Sequence, residues 1–312
     1  MGGTKSVALV AGALAAGVLA LIALHPNPTA APAPAEVSAL PGVSVETVRE
    51  PVVAGAFYPA GKAELGEMVD RYLAQAKSET IAGVRALVCP HAGYVYSGLT
   101  AAHCYAPLAG SDFRTVVILA PSHRHAFAGV SIPAVDAYRT PLGLVVVSPT
   151  VQQYAGKPPF VSIAEAHARE HSLEVQLPFI QRTLGSARIV PMVFGRVASG
   201  DVTQALAHSI DDRTLVVAST DLSHHFPYET ARQLDQQAIA AILALDLERM
   251  RSQHACGKGP VLALMGLARQ KGWKAKLLDY RNSGDTAGSK DSVVGYSAIA
   301  FYASAPAGET QG

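Results

Sequence analysis

Thr115-Val116-Val117-Ile118-Leu119-Ala120-Pro121-Ser122-His123 is the stretch on which the fold turns. Its aliphatic and β-branched residues run on without polar alternation. That is the pattern of a strand buried on both faces, as inside a parallel sheet. Two other runs share it and also end near a histidine: Ala86-Leu87-Val88-Cys89-Pro90 before His91, and Thr214-Leu215-Val216-Val217-Ala218-Ser219-Thr220-Asp221 before Leu222-Ser223-His224. Strands are further expected over 141–147, 187–194, 274–279 and 294–302. Between them, Leu65, Met68, Val69, Tyr72 and Leu73 fall on one face of a helix over 62–75. Residues 98–108, 170–184, 201–210, 228–247 and 259–271 also read as helices. This alternation predicts an α/β single domain with a mainly parallel central sheet flanked by helices. Ligands of such sheets bind beyond the carboxyl ends of the strands, where the three runs deliver their imidazoles.

The 312 residues carry a formal net charge of +1, with 16% charged residues and 20 prolines. A near-neutral chain without clustered Lys and Arg is not a nucleic-acid binder. Lys5 precedes the uncharged, strongly apolar residues 6–24, and a Pro/Ala-rich stretch follows. Residues 1–25 therefore read as a signal peptide or membrane anchor, 26–43 as a stiff linker, 44–304 as the folded domain and 305–312 as a flexible tail. The expectation is an exported protein, either anchored facing outside the cytoplasm or secreted or periplasmic after cleavage. It would meet the membrane only through its N-terminal segment. Three cysteines leave at least one thiol free or bound to something. Cys89 and Cys104 could pair, a geometry that spacing does not test.

Four loops carry the chemistry. In Pro90-His91-Ala92-Gly93-Tyr94-Val95-Tyr96-Ser97-Gly98 the glycines permit sharp turns near a ligand and His91 stands at the strand mouth. In Pro121-Ser122-His123-Arg124-His125, His123 lies nearer the strand and His125 is expected to face solvent. Asp221-Leu222-Ser223-His224-His225 offers a carboxylate that could ligate a metal or orient a histidine, and an acid/base near neutral pH in His224. The bland reading is a turn-capping Asp with an exposed His pair. Cys256 just precedes a helix, where amide dipoles would lower its pKa and make it a soft metal ligand. A free Cys is also often a small buried hydrophobe. Glu170-His171-Ser172-Leu173-Glu174 opens a helix with shared faces but lacks the HExxH order, which favours substrate orientation over a metal site of its own.

Taken in order, GAFYPA, PHAGYVYSG, APSH, YRTPLG, EHSLEVQLPFI, STDLSHH, the Cys256-Gly257 turn and VGYSAIAFY resemble the Memo family, whose bacterial and archaeal members are called AmmeMemoRadiSam system protein B. The resemblance spans residues 52–302. The N-terminal segment departs from it, since members are generally cytoplasmic. The resemblance implies a fold related to class III extradiol dioxygenases, and pocket residues His91, His123, Asp221, His224 and Cys256. The cysteine stands where those dioxygenases use a carboxylate, which favours copper(I) or a redox-active iron. The expected assignments follow. His91, His123 and Cys256 hold iron or copper, with zinc ranked behind them, and no organic cofactor is expected. Asp221 and His224 are catalytic, while Tyr94, Tyr96, Arg139, Glu170 and His171 contact a small-molecule or peptide substrate. The leading activity is a dioxygenase-like oxidoreductase. Its competitors are a non-catalytic ligand- or peptide-binding module and a metal-assisted hydrolase with Glu170 as base.

Overall fold

The apolar runs become neighbouring strands whose carboxyl ends share one edge. The structure is a computed structural model and describes residues 44–76 and 81–303. Its first half comprises β1 (Val48–Arg49), α1 (Lys62–Gln75), β2 (Val84–Cys89), α2 (Tyr94–Tyr105), β3 (Thr115–Pro121), β4 (Val130–Ser131), β5 (Ala137–Thr140) and β6 (Gly143–Val146). Next come β7 (Phe160–Val161), α3 (Ala164–Ala168), α4 (Leu177–Leu184), β8 (Arg188–Phe194), α5 (Ser199–Ala207) and β9 (Thr214–Ser219). The last part holds β10 (His224–Phe226), α6 (Tyr228–Leu243), α7 (Leu247–Arg251), α8 (Lys258–Lys271), β11 (Lys274–Asn282), α9 (Ser283–Thr286) and β12 (Val293–Tyr302).

The large sheet runs β10-β12-β2-β9-β3-β8-β4-β7, with β11 paired to β12. At its centre β2, β9, β3 and β8 are parallel, and Val116 to Ala120 and Leu215 to Ala218 are almost wholly buried. Truncating one such side chain, Ile118→Ala for example, costs about 2–5 kcal/mol in transfer and cavity terms. Helices cover this sheet, with α5 packed on α8 and α1 on α2 and α4.

The expectation of a mainly parallel sheet needs correction, because the sheet is mixed. Strand β12 runs antiparallel to β2, β10 and β11 run antiparallel to β12, and β4 runs antiparallel to β8. For the β11–β12 pair the cause is connection length. Residues 283–292, containing only α9, are too few for the crossover of about a dozen or more that a parallel pair requires, so β11 and β12 fold as a hairpin. A second, small sheet joins β1, β5 and β6. There the strand expected over 141–147 is found as β6, the second arm of a hairpin that turns at Pro141-Leu142 after β5.

The helix expected from residue 170 begins at Leu177, with Pro178 in its first turn, where the missing N–H does no harm. Residues 170–173 are loop, which decides where Glu170 and His171 point. Cys89 and Cys104 are joined as a disulfide between β2 and α2, with Cα atoms 6.1 Å apart. Cys256 is free.

The segments read as signal or anchor (1–25), linker (26–43) and tail (305–312) lie outside the described residues. Among the described residues no helix is long and apolar enough to cross a membrane. Membrane contact through the N-terminal segment therefore has no structural support and is withdrawn.

Candidate metal centre

Register fixes the site. Cys89 pairs with Ser219 and Leu119 with Ala218, so β2, β9 and β3 end side by side and release residues 90–91, 220–224 and 121–123 at one edge. Asp221 ties two of these loops, its Oδ1 accepting from the His91 backbone N–H at 2.8 Å. Glu170 ties in the third. Its Oε2 accepts from the His123 backbone N–H at 2.5 Å, and its Oε1 accepts from the Ser172 N–H at 2.9 Å. Gly257 lets the Cys256 turn press onto the end of β9, because a Cβ there would collide with Ser219 O and the Thr220 side chain.

His91, His123 and His171 meet at this edge. Each offers a ring nitrogen, and the three lie within 4.8 Å of one another. The ring centroids are 5.1 Å apart for His91 and His123, 5.5 Å for His91 and His171, and 4.7 Å for His123 and His171. His171, expected only as a substrate contact, thus belongs to the metal-capable cluster.

The hydrogen bonds set the tautomers. Ser219 Oγ donates to Ser172 O at 2.7 Å and accepts from Gln176 Nε2 at 2.9 Å. With its proton so engaged, it accepts from His91 Nδ1 at 2.9 Å, which leaves His91 Nε2 without a proton and facing the Cys256 thiol. His123 Nδ1 lies 3.0 Å from Glu170 Oε1, so it donates to the carboxylate and its Nε2 is free as well. An imidazole whose far nitrogen is pinned by a carboxylate or hydroxyl is the arrangement metal-ligating histidines use. His171 Nδ1 is buried with no hydrogen-bond partner, 3.4 Å from Glu170 Oε1. An orphaned buried donor or acceptor of this kind is rare and costly.

Electrostatics favour the neutral form of two rings, His91 and His171. Burial first, then the neighbouring histidines His123 and His171, hold His91 well below the usual histidine range. Burial likewise brings His171 down to about 4, although the Glu170 charge opposes it. Neutral imidazole is the ligand form. Burial would raise Glu170, but its hydrogen bonds from the His123 ring, the His123 backbone and the Ser172 backbone prevail and hold it at about 2.

Cys256 Sγ stands 3.2 Å from His91 Nε2 and also accepts from the Asp221 N–H at 3.2 Å. The expected thiol acidification is not found. Burial, then the Asp221 charge, push the thiol up to about 12. The helix dipole is outweighed, because Cys256 lies before the N-cap Gly257, half-buried beside Asp221. Asp221 is itself raised to about 7 by burial, against the pull of the His91 N–H. His91 Nε2 and Asp221 Oδ2 are 3.9 Å apart, yet with His91 neutral they form no ion pair.

A cleft of about 450 Å³ opens beside the cluster, lined by Phe57, Tyr96, His171, Asp221, His224 and Tyr296 among others. His224 Nδ1 donates to Leu222 O at 2.9 Å, leaving Nε2 unprotonated, and burial lowers its pKa. Its neighbour His225 has φ of 62°, a backbone conformation uncommon outside glycine that clusters at functional sites. The structure thus gathers His91, His123, His171, Glu170, Asp221, His224, Cys256 and Tyr96. It does not gather two of the expected residues. Tyr94 is 2% exposed, and its hydroxyl donates to Val175 O in the core. Arg139 lies on the small sheet and pairs with Glu50 at 2.9 Å.

A family model described as Memo-like protein matches residues 49–300. A MEMO1 family protein of Thermoplasma volcanium is 34% identical over 264 residues, covering 81% of this chain and 97% of that protein. One of Nitrosopumilus maritimus is 36% identical over 273 residues (81% and 99%), and one of Pyrobaculum aerophilum 37% over 283 residues (82% and 99%). Their names state the family and nothing of export or anchoring. The expected exported location is therefore withdrawn with the membrane contact.

Proposed function

The chain belongs to the Memo family, and from that membership we propose that the cluster is the metal centre of a dioxygenase-like oxidoreductase loaded with iron or copper. The single observation that supports it most is the convergence of His91, His123 and His171 within 4.8 Å, two of them with Nδ1 held by a hydrogen bond. The orphaned His171 Nδ1 fits the same reading. Cys256, at 3.2 Å from His91 Nε2, is the added soft donor. A thiol held near 12 by burial loses its proton when a cation sits against it. Sulfur beside imidazole favours copper(I) or a redox-active iron over zinc. When bound, such a metal supplies one-electron chemistry that no side chain here provides.

The chain's own residues do the rest. Glu170 and Ser219 hold two rings in their ligating tautomers. Asp221, raised by burial to about 7, exchanges a proton around neutral pH and can take part in proton transfer within the cleft. His224 presents an unprotonated Nε2 and accepts one. Phe57, Tyr96 and Tyr296 supply aromatic walls to the cleft beside His171. The hydrolase reading is weaker, because it needs a free carboxylate base and Glu170 is committed to His123 and Ser172 with its pKa at about 2.

Elemental analysis of anaerobically purified chain tests the proposal. It predicts roughly one iron or copper per chain, lost in His91→Ala, His123→Ala and His171→Ala, and oxygen uptake on a catechol series that Cys256→Ala abolishes. A protein that neither retains nor takes up metal on titration would overturn it.

A further inference from the structure

A second opening reaches the cluster from another side. It is a pocket of about 550 Å³ lined by Val52, Val53, His123, Arg124 and Arg169. Most arginines near carboxylates are neutralised here: Arg49 by Glu174, Arg139 by Glu50, Arg182 by Asp70, Arg281 by Asp279. Among the described residues, Arg124 and Arg169 have no carboxylate partner, and both are exposed. The acidic groups nearest the pocket wall are already engaged. Glu170 is held by His123 and Ser172. Glu174 lies behind the Val52 and Val53 backbones and is held by their N–H groups and by Arg49.

The two guanidiniums flank a single junction. Arg124 follows His123 and Arg169 precedes Glu170, and the His123–Glu170 hydrogen bonds clamp the two loops together. The Arg124 charge reaches the cluster, since it helps to depress His171. Two unpaired planar forks over an apolar floor, of which Val52 is 42% exposed, suit an oxyanion joined to a less polar body.

We propose that this pocket binds an oxyanion, a carboxylate or phosphate, of the ligand that reaches His123, with Arg124 and Arg169 as its binding residues. Placing that ligand at a metal rests on the function proposed above, whereas the anion binding itself does not. The test is a calorimetric titration of the full chain, as purified and after chelation, with malonate and with inorganic phosphate as probes. Saturable one-site binding is expected, weakened about tenfold or more in Arg124→Gln and in Arg169→Gln. The distant exposed Arg269→Gln should bind as the wild type does. Whichever probe binds more tightly identifies the oxyanion's source. Failure of both probes to saturate would overturn the proposal, as would an equal loss in Arg269→Gln, which would make the effect one of net charge. Binding that survives chelation supports it even if the metal reading fails.

Discussion

Glu170 and Glu174 are buried carboxylates four residues apart, and they end in opposite situations. Glu174 is closed off. It accepts from Arg49, from the Val52 and Val53 backbones and from the Tyr58 hydroxyl at 2.5 Å. Arg49 spends its other donors on His167 O and Glu170 O. Every strong group in that network has a partner. Glu170 holds His123 and leaves His171 Nδ1 beside it unpartnered. The contrast separates a polar network that anchors the N-terminal strand from one arranged around a ligand still to come.

The largest effect that could break this contrast is on stability. Glu174→Ala leaves Arg49 buried and uncompensated and should cost about 3–5 kcal/mol in urea unfolding. A loss below about 1 kcal/mol would mean the network is not closed.

The next test is pH. His167, buried between the Tyr138 hydroxyl at 2.8 Å and Ser131 Oγ at 3.1 Å, is pulled by burial down to about 4. The native state keeps it neutral, while the unfolded chain binds a proton below about pH 6.5. Its contribution is therefore complete above that value and is lost as pH falls towards 4, amounting to about 3 kcal/mol at most. Unfolding midpoints followed across that window should show a shallower slope in His167→Gln. His91, His171 and His224 shift the same way, so some slope remains.

Glu170→Gln sharpens the comparison from the other side. Losing the carboxylate that orients His123 should weaken metal binding by about 10–100-fold. It should also destabilise the protein less than Glu174→Ala does. The smallest effect belongs to Arg139→Gln. Its exposed pair with Glu50 is worth under about 1 kcal/mol, and neither metal content nor ligand binding should change.

Much of this was legible in the sequence. Uninterrupted β-branched runs read as interior strands, and a parallel set directs its loops to one edge, which brings His91, His123, Asp221 and His224 into view. The misreadings are local. Residues 170–184 look helical by apolar spacing, but Pro178 in the first turn was the signal that the helix starts at Leu177. With residues 170–173 as loop, His171 joins the cluster instead of a helix face. Helix α2 starts at Tyr94 rather than near Gly98, and two positions apart on a helix are about 200° apart. Hence Tyr94 turns into the core while Tyr96 lines the cleft. Strand direction is absent from composition, so only the short 283–292 connection announced the antiparallel edge. The raised pKa of the Cys256 thiol is not legible in the sequence, because burial beside Asp221 is a tertiary fact.

The most direct measurement of the central claim is a titration of the chelator-treated chain with Fe(II) or Cu(I), followed by calorimetry, in wild type and His171→Ala. The three-histidine centre predicts saturable binding of a single ion that His171→Ala weakens by about a hundredfold. Equal affinity in the two proteins, or no saturable binding in either, would contradict it.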